Sequence, residues 1–154
     1  MKVDFFNIYL IKSGAWLCCY RKNYYFCNMN AVKTKKNLGQ HFLTDLNIAK
    51  RIADTVDACP DIPVLEIGPG MGVLTQYLIQ KPRLVKAIEI DSESVAYLNE
   101  AFPALRENII GDDFLRMDLR ELFGGNQFVL TGNYPYDISS QIFFKMLDYR
   151  DLIP

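Results

Sequence analysis

Between residues 64 and 147 short apolar runs alternate with stretches of helical period, joined by short loops. Residues 64–67, 84–90, 108–110 and 128–130 read as strands, and 73–80, 93–101 and 139–147 read as helices. Val73, Leu74, Tyr77 and Leu78 fall on one helix face, and Ile142, Phe143 and Met146 on another. Upstream, Thr44 is placed to cap a helix over 45–56, in which Ile48, Ile52 and Val56 recur every four residues. Such alternation is the signature of an α/β fold, a parallel sheet with helices on both faces. Ligands of these sheets bind beyond the carboxyl ends of the strands. The informative loops are therefore 68–72, 91–92, 111–113 and 131–136.

The first loop reads Glu66-Ile67-Gly68-Pro69-Gly70-Met71-Gly72. Glycines after a strand let the backbone turn tightly and approach a ligand closely. A dinucleotide fingerprint spaces its glycines G-x-G-x-x-G; here the spacing is G-x-G-x-G, with Val73 following. That departure argues against a nicotinamide dinucleotide and for a ligand without a pyrophosphate, such as S-adenosyl-L-methionine. Gly68 and Gly70 are the expected contacts. The second strand ends at Glu89-Ile90-Asp91, with Glu89 about 20 residues past the first glycine, where a carboxylate accepts hydrogen bonds from ribose hydroxyls. The third ends at Gly111-Asp112-Asp113, and Asp112, nearer the strand end, is expected to accept from the exocyclic amine of the cofactor's adenine. A solvated carboxylate and a simple Gly-Asp turn are the competing readings.

Asn133-Tyr134-Pro135-Tyr136 carries the expected chemistry. The lone pair of an exocyclic amine is delocalised into the ring, so methylating it is hard. The Asn133 side-chain oxygen and the Tyr134 backbone carbonyl can each accept one amine hydrogen, favouring a pyramidal nitrogen. Pro135 fixes the direction of that carbonyl. Tyr136 stacks on the target base, a contact worth about 1–3 kcal/mol. The base must leave its stack to enter such a pocket. No general base is required, because the amine can lose its proton after transfer.

Lys36-Asn37-Leu38-Gly39-Gln40-His41-Phe42-Leu43, the 66–72 loop with Leu74-Thr75, Glu89-Ile90-Asp91, Gly111-Asp112 and the 133–136 segment occur together and in this order. As a set they resemble the small-subunit ribosomal RNA adenine N6-dimethyltransferases. The resemblance implies a Rossmann-like S-adenosylmethionine-dependent methyltransferase fold. It also implies dimethylation of the N6 amines of two adjacent adenines in a hairpin near the 3′ end of small-subunit rRNA. The setting implied is a pre-30S particle in the cytoplasm, with a monomeric enzyme. Carried over residue by residue, His41, Leu43, Gly68, Glu89, Asp112 and Asn133 look like cofactor contacts, and Asn133 and Tyr136 like target-base residues. Tyr134 stands where the family often has leucine. The chain is expected to hold only the first half of the parallel sheet, about four strands, with the carboxyl-terminal half missing. Its fourth strand would then be an unpaired apolar edge prone to aggregation, and the chain poorly stable and weakly active or inactive. Alternatives are a non-catalytic RNA-binding or ribosome-assembly module, a dehydrogenase, a DNA or small-molecule methyltransferase, and the related large-subunit rRNA methyltransferases of the macrolide-resistance type.

The net charge of −1 gives no electrostatic reason to expect nucleic acid, but residues 1–50 carry +6 and the remainder −7. A basic amino-terminal arm binds phosphate or is merely solvated. Residues 1–28 are rich in aromatics without a sustained period, and charges at Lys2, Asp4 and Lys12 keep them short of a membrane span. They are expected to be an extension outside the functional domain, from a mis-assigned start, with residues 29–154 forming the partial methyltransferase domain. Cys18, Cys19, Cys27 and Cys59 lack zinc-ligand spacing and His41 is the one histidine, so no metal site is expected.

Overall fold

A computed structural model describes residues 7–11, 15–19, 45–134 and 138–154. Strands β1 (Asn7–Ile11) and β2 (Ala15–Cys19) pair antiparallel as a hairpin, Asn7 opposite Cys19 and Ile11 opposite Ala15. No strand was expected there, because the aromatic run shows no alternation from which to read one.

Helix α1 (Leu46–Thr55) is capped by Asp45, whose carboxylate accepts from the backbone N–H groups of Asn47 and Ile48 at 2.9 and 3.3 Å. The cap is thus Asp45 rather than Thr44, which lies outside the described residues. Strand β3 (Val64–Ile67) leads into α2 (Thr75–Leu78), β4 (Val85–Ile88) into α3 (Ser92–Ala101), and β5 (Ile109–Ile110) into a looped segment. Strand β6 (Val129–Gly132) and α4 (Ser139–Asp148) complete the order. The four later strands form one parallel sheet ordered β5-β4-β3-β6. This is the parallel half-sheet of a Rossmann-like fold. Helix α2 is shorter than the 73–80 expected because the glycine turn runs on as turns to residue 74 before regular helix begins.

All four β3 residues are buried, as a central parallel strand covered on both faces requires. Leu65 and Ile67 join Ile88, Phe128, Ile142, Leu152 and Ile153 on one face; Val64 joins Ile52, Leu74, Leu78, Val85 and Leu105 on the other. Ion pairs from Lys81 to Asp54 (2.8 Å) and Asp57 (2.6 Å) tie the segment after α2 to α1 and the turn beyond it.

Strand β6 begins one residue later than the apolar run indicated, since Val129 is the first residue to pair, its N–H bonding Pro63 O at 2.8 Å. Among the described residues no strand pairs with the other side of β6. The edge is less apolar than its sequence implied. Phe128 is fully buried, with its N–H bonded to Leu152 O at 2.9 Å, and Val129 and Leu130 are half-buried. Phe144 and Leu147 on α4 are among the large apolar side chains that are exposed. No helix among the described residues is long and apolar enough to cross a membrane.

Candidate cofactor and base-orienting site

Gly68, Gly70 and Gly72 all have positive φ, at 63°, 54° and 74°. An L side chain is disfavoured in this left-handed region, so the three glycines are what allow β3 to reverse into α2 at once. The Gly68 N–H continues the ladder to Ile88 O at 2.9 Å, and the Gly72 N–H closes a turn on Pro69 O at 2.8 Å. Gly72 also lets the turn lie against α3: a Cβ there would sit 2.2 Å from Cε2 of the Phe102 ring.

The buried carboxylate of Glu89 organises the loops around it. Its Oε2 accepts from the Gly70 N–H at 3.0 Å and its Oε1 from the Asp91 N–H at 2.9 Å. Burial raises its pKa, opposed by these backbone hydrogen bonds. One carboxylate therefore braces the glycine turn against the end of β4. Each oxygen keeps a second lone pair, so acceptance from a ligand diol remains open. Asp91, one of the residues sequence reasoning left without a role, caps α3, with Oδ2 accepting from the Ser94 N–H (3.2 Å) and Oγ (2.9 Å). Its signal was an Asp, a preferred N-cap residue, just ahead of the 93–101 helical stretch. Between Glu89 and Asp91, Ile90 is 58% exposed, a large apolar side chain at the ligand end of the sheet.

Asp112 and Asp113 divide their work. Asp113 is half-buried and engaged in its own turn, with Oδ1 accepting from the Leu115 N–H at 2.9 Å and Oδ2 paired with Arg116 at 3.2 Å. Asp112 is exposed, its Oδ1 accepting a local bond from the Asp113 N–H at 2.7 Å.

The structure brings the turn at Gly68 against the segment after β6. A Cβ built on Gly68 would lie 3.8 Å from Cα and Cβ of Tyr134 and 3.9 Å from the Asn133 carbonyl oxygen. Asn133 is half-buried, and the Tyr134 ring packs against the core cluster that includes Ile67 and Ile142, where burial pushes its hydroxyl pKa up. Of the predicted residues, Gly68, Gly70, Glu89, Asp112, Asn133 and Tyr134 thus cluster at the carboxyl ends of the sheet. His41, Leu43, Pro135 and Tyr136 lie outside the described residues.

The fold and these strand-end loops define a Rossmann-like methyltransferase domain, seen here as its first half. Residues 31–153 match the family model for ribosomal RNA adenine dimethylase, and the chain belongs to that family. The chain is 72% identical over 126 residues to ribosomal RNA small subunit methyltransferase A of Phocaeicola vulgatus, covering 82% of this chain and 45% of that protein. It is 70% identical over the same length to the protein of that name from Bacteroides fragilis, covering 82% and 46%. Among solved structures it is similar to the 23S rRNA methyltransferase ErmE (TM-score 0.60, 36% identity, 70% of this chain and 43% of that one). The chain spans about half the length of the curated relatives it matches.

Proposed function

We propose that residues 29–154 form the cofactor-binding and base-orienting half of a small-subunit rRNA adenine N6-dimethyltransferase using S-adenosyl-L-methionine. The observation that carries this reading is the approach of the Gly68 turn to Asn133 and Tyr134 within 4 Å of a notional Cβ. The site suits the cofactor in three respects. The turn offers close backbone approach with no side chain at Gly68 or Gly70. Glu89 and Asp112 supply carboxylates at successive strand ends, beside the exposed apolar Ile90. And residues 68–72, 89–92, 111–113 and 131–134 contain no Lys or Arg, so these four loops bring no side-chain cation to a ligand phosphate.

When bound, the cofactor supplies an electrophilic methyl group on sulfur. Glu89 then accepts from the ribose hydroxyls, Asp112 from the adenine amine, and Ile90 lies against the adenine ring. His41 and Leu43 join them by family resemblance. The Asn133 side-chain oxygen and the Tyr134 carbonyl each accept a hydrogen of the target amine, turning its lone pair toward the methyl group. Pro135 holds the carbonyl's direction and Tyr136 stacks on the target base. Small-subunit rRNA within a pre-30S particle in the cytoplasm is the substrate, acted on by a monomer. The small-subunit assignment is favoured over the large-subunit one by the higher identity to the small-subunit relatives. The chain alone is expected to transfer methyl groups weakly.

Asn133→Ala tests the reading. Single-turnover transfer of labelled methyl to an rRNA adenine hairpin should fall at least ~100-fold, as when one preorganised transition-state contact is lost, with RNA affinity nearly unchanged. Transfer that survives the substitution contradicts the assigned role. A parent chain that binds the RNA but transfers nothing favours a non-catalytic assembly module.

A further inference from the structure

Two buried side-chain oxygens among the described residues lack a hydrogen-bond partner, Glu66 Oε1 and Thr131 Oγ1. Buried polar groups are rarely left so, because the lost hydration is not replaced. The two residues are register partners on adjacent parallel strands, Glu66 on β3 opposite Thr131 on β6. Two pairs earlier, Val64 and Val129 face each other in the same register, and both pack into the same core cluster. With side chains alternating along each strand, Glu66 and Thr131 project from that same face. The other oxygen of Glu66, Oε2, accepts from the Thr75 hydroxyl at 2.7 Å.

We propose that Glu66 and Thr131 hydrogen-bond across β3 and β6, directly or through one buried water, and with Thr75 form a polar clamp that positions the glycine turn relative to the Asn133–Tyr134 segment. Every member sits just behind a site loop. Glu66 is two residues before Gly68, Thr131 two before Asn133, and Thr75 opens α2 directly after the turn. Neither orphan oxygen reaches solvent, so a ligand arriving at the strand ends does not touch them. Their action is on the loops. Neutral Glu66 can donate from one oxygen while accepting at the other, so one carboxyl serves both threonines. Burial favours that neutral form over the opposing pull of the Thr75 hydrogen bond, and the nearby Glu89 carboxylate acts in the same direction as burial.

The test has two arms. In calorimetric titration with S-adenosylhomocysteine, Glu66→Ala and Thr131→Val should each weaken binding about tenfold, the scale of one buried group left unsatisfied. Glu66→Gln and Thr131→Ser should stay within about twofold, since an amide also donates and accepts and serine keeps the hydroxyl. Infrared spectroscopy of the ligand-free chain forms the second arm. A protonated-carboxyl band should vanish in Glu66→Gln and shift in Thr131→Val. This arm also reads out variants that bind poorly. Loss in Glu66→Gln equal to that in Glu66→Ala, or a band unmoved by Thr131→Val, overturns the clamp. The binding arm rests on the proposed cofactor site; the infrared arm does not. A parent chain that binds no cofactor but shows the shifting band would refute the cofactor site and leave the clamp standing.

Discussion

Replacing Gly132 by alanine is expected to destabilise the domain by more than ~3 kcal/mol, the range in which overpacking and backbone strain combine. A Cβ at this position would sit 2.3 Å from the Ile67 carbonyl oxygen and 3.0 Å from the Ile67 nitrogen. Both are backbone atoms of the neighbouring strand, and Ile67 is Gly132's register partner in the β3–β6 pair. Neither can move without opening the ladder beside the candidate site. Other glycines are expected to respond less. At Gly72 the obstacle is the edge of the Phe102 ring, which can rotate away. At Gly125 nothing lies within 4 Å, and only the positive φ of 77° resists alanine. Holding alanine in that region costs about 1–2 kcal/mol per residue. Urea denaturation of the three variants should rank them Gly132, Gly72, Gly125 in order of loss. A Gly132→Ala chain as stable as Gly125→Ala would contradict the described strand register.

The second large effect concerns acidity. Burial pushes the Glu66 carboxyl from its ordinary 4.5 up to about 8. Below the ordinary value both folded and unfolded chains hold the proton, and Glu66 makes no pH-dependent contribution. Above it the unfolded chain releases the proton while the folded chain keeps it. Stability therefore falls as pH rises through this window and levels off above about 8. At about 1.4 kcal/mol per unit the full loss is on the order of 4–5 kcal/mol. Glu66→Gln removes the titrating proton, so its stability relative to the parent should rise across the window and show no such trend below it. Burial raises the Glu89 pKa as well, adding a slope of the same sign that both proteins share. Denaturation midpoints near pH 5 and pH 8 decide the matter: a constant gap between parent and variant would show that Glu66 is ionised in the folded protein.

The sheet was legible because its signal is local. Each apolar run ends in a loop, and Val64–Ile67 was placed to the residue. Element ends were less so, since they depend on hydrogen bonds formed elsewhere. The start of β6 is set by Pro63 and the shortness of α2 by the glycine turn. In the site, the glycine spacing and the strand-end acids could be read from position alone. What Glu89 does could not, because its partner Gly70 lies 19 residues away and only the folded loop brings the two together. Glu66 stood in plain view within an apolar strand. Its depth and its orphan oxygen depend on the register with β6, which no local pattern specifies.

Titrating S-adenosyl-L-methionine into the purified chain tests the central claim most directly, with NAD and the Glu89→Ala variant as controls. The account predicts one-to-one binding of S-adenosyl-L-methionine, weakened at least about tenfold by Glu89→Ala through the lost diol acceptor and the unbraced turn, and no binding of NAD. Binding of NAD, or S-adenosyl-L-methionine affinity indifferent to Glu89, would contradict it.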